Sequence, residues 1–330
     1  MKTDVLPIVA DPPRRPRRRI PINGILIALL VMCAVLAVAA PSFLSVDNLL
    51  ILTRQSIFVM IGGLAMTFVI AMGGIDLSVG AILAFTGIIA ASLLVDGFTV
   101  GMAVLVALAV GVVIGLINGT LIAIFTMPDF IVTLGVMVAV RGVIMVYTQG
   151  IPIYGLQNPQ FQWLAQGHIL GIPTPVIFGF LLLGVMAFVL RRTPLGRNLL
   201  AIGSSPQAAF LTGIRVNRVK VIVYGLSGLF AGIAGVLLTS RMEAGIPESG
   251  DGYELDVIAA VVIGGTSLSG GKANLLGTVI GALVMAVVRN GLTLMNVNTF
   301  WHQVVIGVII LLAVGMDRIS QRASGRIRKG

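Results

Sequence analysis

Few side chains in this chain have the type and spacing for chemistry. The first to weigh is a glycine-rich run. Gly265-Thr266-Ser267-Leu268-Ser269-Gly270-Gly271-Lys272 looks like a phosphate-binding loop. The G-x-x-x-x-G-K-[ST] template needs glycine at 266 and Ser or Thr at 273. The chain has Thr266 and Ala273 instead, so no nucleotide site is expected here. No nucleophile elbow or carboxylate dyad stands out. Two histidines, His168 and His302, without a Cys/His cluster make no metal site. Cys33 alone cannot form an intrachain disulfide.

What remains is a sparse set of polar groups inside apolar runs. Arg141 stands about 11 residues into one such run, and a charge in lipid costs several kcal/mol unless it is paired. It must face other helices and meet a carboxylate, a carbonyl or water. Asp76 sits at a glycine break with Ser78 beside it. Asn118 and Asn290 could offer amides to hydroxyl groups. These five are candidates for a hydrated pathway. Each also has a purely structural reading: Arg141 as an interhelical tie, Asp76 as a cap for the next helix, the Asn-Gly pairs as turns or close packing.

The elements that must position them are membrane spans. Of the 330 residues, 57% are hydrophobic and only 10% charged, with a mean hydropathy of +1.07. Soluble proteins carry about 25% charged residues. A water-facing surface is excluded, and so is disorder. The 41 glycines suit close helix packing in lipid. The fold class expected is an all-α polytopic membrane protein of about 10 spans (range 8–11).

The net charge of +10 does not point to nucleic acid. Of 22 Lys and Arg, 17 fall in three segments: before the first apolar run, between Arg191 and Lys220, and after Asp317. No aromatic residues interleave with them as in a stacking platform. They read as cytoplasmic segments under the positive-inside rule. Spans of about 20 apolar residues fall near 20–40, 50–72, 78–95, 100–126, 130–148 and 170–190, then 219–240, 254–267, 274–291 and 299–316. Six and four are both even, so the termini and the central loop share one side. The organisation expected is a basic tail 1–19, six spans in 20–190, a cytoplasmic loop 191–218, four spans in 219–316 and a basic tail 317–330. Arg14–Arg19 with Ala37-Val38-Ala39 resembles a signal peptide. The apolar stretch exceeds a usual h-region of 7–15 residues, so a retained span is expected. The 254–267 segment is short and interrupted by Gly264-Gly265, which suggests a broken or re-entrant helix.

An internal repeat is suggested by two motif pairs in the same order. Gly73–Gly80 matches Gly264–Gly271 at five of eight positions, an offset of 191 residues, and Asn118-Gly119 matches Asn290-Gly291 at an offset of 172. Chance is the competing reading, because Gly and Leu are common in this chain.

The central loop is too structured to be a plain connection. Ser204 or Ser205 can cap a helix, Pro206 suits its first turn, and Gly213 suits its end. A short helix at about 206–212 is expected, with apolar side chains available for docking.

This loop, together with G-G-I-D-L-S at 73–78, N-G at 118–119, P-D-F-I-V-T-L-G at 128–135 and G-G-T-S-L-S-G-G at 264–271, resembles the permease subunits of ribose-type sugar ABC importers. The resemblance runs from about 45 to 316. It implies an inner-membrane, multi-pass permease subunit and not an enzyme. The pathway would be formed by a permease homodimer surrounded by membrane lipid. A periplasmic sugar-binding protein would deliver monosaccharide. ATP and Mg would bind a separate ATP-binding cassette subunit, and no cofactor would bind this chain. It also implies that 193–213 is the coupling segment, with Gly196, Arg197, Ile202, Gly203, Pro206, Ala208, Ala209 and Gly213 meeting the ATPase. Two departures are visible. Ser205 stands where relatives carry Asn in G-S-N-x-x-A-A, and Lys272-Ala273 lacks the glycine of G-x-G. Alternatives are an ion-coupled secondary transporter, an ABC permease for a non-sugar solute such as branched-chain amino acids, or a membrane-embedded enzyme.

Overall fold

The computed structural model describes residues 22–323. The basic tail 1–19 and residues 324–330 lie outside that range. The fold is all-α apart from one short antiparallel hairpin, His168–Ile169 (β1) with Ile172–Pro173 (β2). Thirteen helices are present among the described residues: α1 Ile22–Ala39, α2 Val46–Ala71, α3 Val79–Val95, α4 Val100–Ala123, α5 Asp129–Thr148, α6 Pro159–Gln166, α7 Thr174–Arg192, α8 Pro194–Ser204, α9 Pro206–Leu211, α10 Val216–Met242, α11 Tyr253–Ile263, α12 Leu275–Leu294 and α13 Thr299–Ala323.

Each of the ten apolar segments holds a helix. Six of them (α2, α4, α5, α7, α10 and α12) are long and apolar enough to cross a membrane. Shorter apolar helices occupy Gly24–Ala39, Val79–Val95 and Phe300–Gly315. With its 11 residues, α11 rises only about 16 Å, against roughly 30 Å of hydrocarbon. The chain is therefore a multi-pass membrane protein whose helices are not all full-length spans.

Local sequence sets the helix starts. Ser45 caps α2 by accepting from the Asn48 amide at 3.3 Å, and Thr99 caps α4 through the Met102 amide at 3.4 Å. Asn158 caps α6, and Pro159 follows it in the first turn.

α10 is the hub. It runs antiparallel to α4 along a seam of glycines. A Cβ on Gly228 would overlap the Gly111 carbonyl oxygen, and one on Gly115 would overlap that of Tyr224. Backbones this close are the use of small residues in lipid, where van der Waals packing replaces the hydrophobic effect between helices. α2 is almost wholly buried from Ser56 to Ala71. Leu105, Val138 and Val146 stand outward on α4 and α5, forming part of an apolar outer surface. α1 packs on α12, with Leu36 filling the space beside Gly291.

The contacts sort the connections into two ends. At one end α8, with α9 following it, meets the close of α2 and the 264–274 turn, where the Gly271 amide donates to Ala71 O at 2.8 Å. At the opposite end Ile153 bridges Gly245, and Arg54 approaches His168 at 3.4 Å.

Candidate functional site

The two glycine breaks are the same local device. α2 ends with the Gly73 amide donating to Ile70 O and the Gly74 amide to Val69 O, both at 2.9 Å. α11 ends with the Gly265 amide donating to Val262 O at 2.9 Å and the Thr266 amide to Val261 O at 3.2 Å. Gly73 and Gly265 have φ of +90° and +85°, which L side chains adopt only at a cost.

After the first break the chain runs irregularly through 74–77, and neighbouring helices satisfy its polar groups. The Ile75 amide donates to Asp129 Oδ2 at 2.6 Å; Ile75 O accepts from Tyr224 at 3.3 Å and Thr133 at 3.4 Å. Asp76 is fully buried. Its Oδ1 accepts from the Ser78 amide (2.9 Å) and hydroxyl (2.6 Å), and its Oδ2 from Ser227 at 2.7 Å. Asn118 donates to Ser78 Oγ at 2.8 Å, and its own Oδ1 is buried with no partner. No salt bridge reaches Asp76 among the described residues. This cluster pins the irregular 74–78 segment to α4, α5 and α10. Its carboxylate is held by three donors, so the arrangement positions backbone as irregular chain at membrane depth requires.

α3 begins inside the bundle. A Cβ on Gly80, its second residue, would lie 2.5 Å from Gly250 O and overlap the Glu254 carboxylate. Glu254 is in turn the second residue of α11. The N-terminal ends of α3 and α11 therefore face each other in the interior.

Asp76, Ser78 and Asn118 come together; Arg141 and Asn290 do not join them. Arg141 Nη1 donates to Pro247 O at 3.0 Å and Ser249 O at 2.9 Å, and Nη2 pairs with Asp251 at 2.8 Å. It ties α5 to the acidic loop 243–252. Asn290 exchanges amide hydrogen bonds with Asn48, at 2.7 and 3.0 Å. An ion pair between a buried carboxylate and a half-buried guanidinium went unread in the sequence: Arg289 Nη2 lies 2.7 Å from Asp256 Oδ2, between α12 and α11. Its only signal was an acidic residue early in one apolar segment and a basic one late in the next.

The central loop holds two helices, not the single one expected at 206–212. α8 is capped by Thr193 with Pro194 in its first turn, and α9 by Ser205, which accepts from the Ala208 amide at 3.3 Å. Ser204 thus closes α8 and does not cap α9. α8 was hidden by Gly196 and Gly203, which look like breakers. Leu195, Leu199 and Ile202 are its apolar stripe, with Leu199 and Ile202 fully buried. Of the eight residues marked for coupling, Gly196, Ile202 and Ala209 are buried against the bundle, and Gly203 is half-buried. Arg197, Pro206, Ala208 and Gly213 are exposed. Phe210 and Leu211 are 70% and 84% exposed. Gly203 meets the end of α2 and the 264–274 turn at once, because a Cβ there would overlap Ala71 O.

Comparison with known proteins places this geometry. A family model described as "Branched-chain amino acid transport system / permease component" matches residues 48–314. The chain belongs to this permease family. It is 45% identical over 312 residues to the ribose import permease protein RbsC of Bacillus subtilis, covering 92% of this chain and 96% of that one. It is 44% identical over 300 residues to RbsC of Escherichia coli K12, covering 90% and 93%. It is 39% identical over 312 residues to the L-arabinose ABC transporter permease protein AraH of Azospirillum brasilense, covering 92% and 90%. No solved structure matches.

Proposed function

We propose that this chain is the permease subunit of an ATP-driven, binding-protein-dependent monosaccharide importer of the inner membrane. The relatives named for ribose and arabinose favour a sugar over the branched-chain amino acids of the family description. ATP hydrolysis belongs to a separate ATPase subunit. Two permease copies in lipid form the pathway, and a periplasmic sugar-binding protein docks at the end carrying the acidic 243–252 loop.

The observation that carries the reading is the α8–α9 pair. α8 is rooted against two helix ends, while α9 presents Phe210 and Leu211 to solvent at the basic end of the bundle. Large apolar side chains on a polar loop are an unpaired docking surface. On this reading the α8–α9 end and both termini are cytoplasmic, and the ten helices in the apolar segments count as ten spans, with α11 completed by the 264–274 turn.

The internal repeat is read as α2–α5 with α10–α13. The 172-residue offset between Asn118 and Asn290 carries each of the first four helices onto its counterpart within four residues at either end. α2 runs toward the α8–α9 end and α10 away from it, so the two halves are inverted. The short helices α3 and α11, whose N-terminal ends face each other, fall at matching places of the two halves, and short or interrupted helices so placed in inverted halves are a recurring transporter design. On this alignment Gly73–Gly80 falls opposite residues 245–252, and its likeness to 264–271 is that of one capping device used twice.

The test is reconstitution in proteoliposomes with the ATPase subunits and binding protein. Uptake should persist on ATP after collapse of the proton gradient. Uptake lost with the gradient, or ATPase activity of the purified chain alone, would overturn the reading. Phe210→Asp with Leu211→Asp should abolish copurification of the ATPase.

A further inference from the structure

The glycines at the end of α8 and in the 264–274 turn are not explained by docking alone. Gly203 lies at the close of α8, and a Cβ there would sit 2.5 Å from the Gly271 amide nitrogen as well as overlapping Ala71 O. The fit is reciprocal. A Cβ on Gly270 would lie 2.5 Å from Gly203 O and 2.9 Å from its Cα, and one on Gly271 would lie 2.5 Å from Ser204 Oγ and 3.2 Å from Ser204 Cα. The Gly271 amide donates to Ala71 O at 2.8 Å. Three separate segments, the ends of α2 and α8 and the approach to α12, therefore meet backbone against backbone at Ala71, Gly203 and Gly270, with the short Ser204 side chain beside Gly271.

We propose that Gly203 is the positioning residue of a three-way backbone junction through which a displacement of α8 moves α2 and the 264–274 turn together. This rests on the reading of α8–α9 as the ATPase-coupling segment. The physical reason lies in stiffness. A contact through long side chains absorbs an ångström of motion by rotamer change. Backbone atoms at van der Waals distance have no such freedom, and a close-packed interior transmits strain. Gly270 and Gly271 hold φ of +75° and +72°, a conformation that keeps the turn tight enough to reach Gly203. From the junction the chain leads two ways. Ala71 continues through Gly73 into the 74–78 segment pinned on α4, α5 and α10. Gly271 continues to Asn274, which caps α12 by accepting from the Gly277 amide at 3.0 Å and donates to Gly264 O at 2.8 Å. Both helix breaks are thereby attached to one small contact. The movement they share is a shear of packed helices with two discrete arrangements.

The experiment uses the reconstituted complex of this chain, its ATPase and the sugar-binding protein, with ATP hydrolysis and sugar uptake measured together. Gly203→Ala forces the junction apart by one methyl group. Uptake per ATP hydrolysed should fall by about tenfold or more, within the usual range of coupling between sites. An unchanged ratio would overturn the proposal. Should Gly203→Ala fail to fold, hydrogen exchange on the unaltered complex decides. A non-hydrolysable ATP analogue should change the exchange of α8, residues 69–78 and residues 264–274 in concert. A response of α8 that leaves the other two segments unmoved would refute the junction. Failure of the unaltered chain to bind any ATPase would instead sink the docking reading, which the copurification arm reports separately.

Discussion

Replacing Arg289 by methionine isolates one buried charge. Arg289 Nη2 lies 2.7 Å from Asp256 Oδ2; the Asp256 side chain is 7% exposed and that of Arg289 36%. Asp256 Oδ1 and Arg289 Nε are both buried without partners. The pair therefore makes one contact where a guanidinium fork offers two. Two expectations follow from this half-satisfied geometry. Arg289→Met leaves a buried carboxylate uncompensated, at a cost of about 3–5 kcal/mol. Removing both charges as D256L/R289M costs little or nothing, because the pair returned little beyond its own desolvation. At roughly 2–4 °C per kcal/mol for a mid-sized protein, the single variant should melt on the order of 10 °C below the parent, with the double variant close to it. Thermal unfolding in detergent, followed by the surviving monodisperse peak on size exclusion, reads both. A single variant as stable as the parent, or a double variant as damaged as the single, would refute the reasoning.

Other substitutions test neighbouring parts of the account. Gly228→Ala drives a methyl into the Gly111 carbonyl and should abolish folded yield, whereas Gly135→Ala meets open space and should gain up to about 1 kcal/mol of helix propensity. Asn48→Leu strands the buried Asn290 amide and should cost about 1–3 kcal/mol, most of which N48L/N290L should recover; melting curves of the three proteins decide it. Asp76→Ala removes the acceptor for three buried donors and should melt several degrees below Asp76→Asn, which keeps one acceptor oxygen.

The sequence was most informative where a property is local. Apolar runs marked α1–α5, α7 and α10–α13, whatever their length, and the α1 stretch, which could have passed for a signal peptide, packs as a helix on α12. Ser205, Pro206 and Gly213 marked α9 because caps and stops act within a few residues. α8 escaped because its stripe is only three residues wide and two glycines interrupt the pattern. Those glycines are there to let backbones touch, which composition cannot reveal. Asp76 and Ser78, two positions apart, could be paired by eye. Ser227 lies 151 positions from Asp76, and Asn48 lies 242 from Asn290, so their partnership is created by the fold. Arg141 was expected to find a carboxylate or carbonyls, and it finds both. The segment that holds them dips into the bundle, which hydropathy does not show.

On the proposed function this chain moves a sugar using energy released in another subunit, and uptake by the assembled transporter measures that. Proteoliposomes containing the permease, its ATPase and the sugar-binding protein are loaded with ATP, depolarised with a protonophore and supplied with labelled ribose or arabinose. Accumulation is expected to require ATP and all three proteins and to be lost with F210D/L211D. Accumulation by the permease alone, driven by an ion gradient and indifferent to ATP, would contradict it.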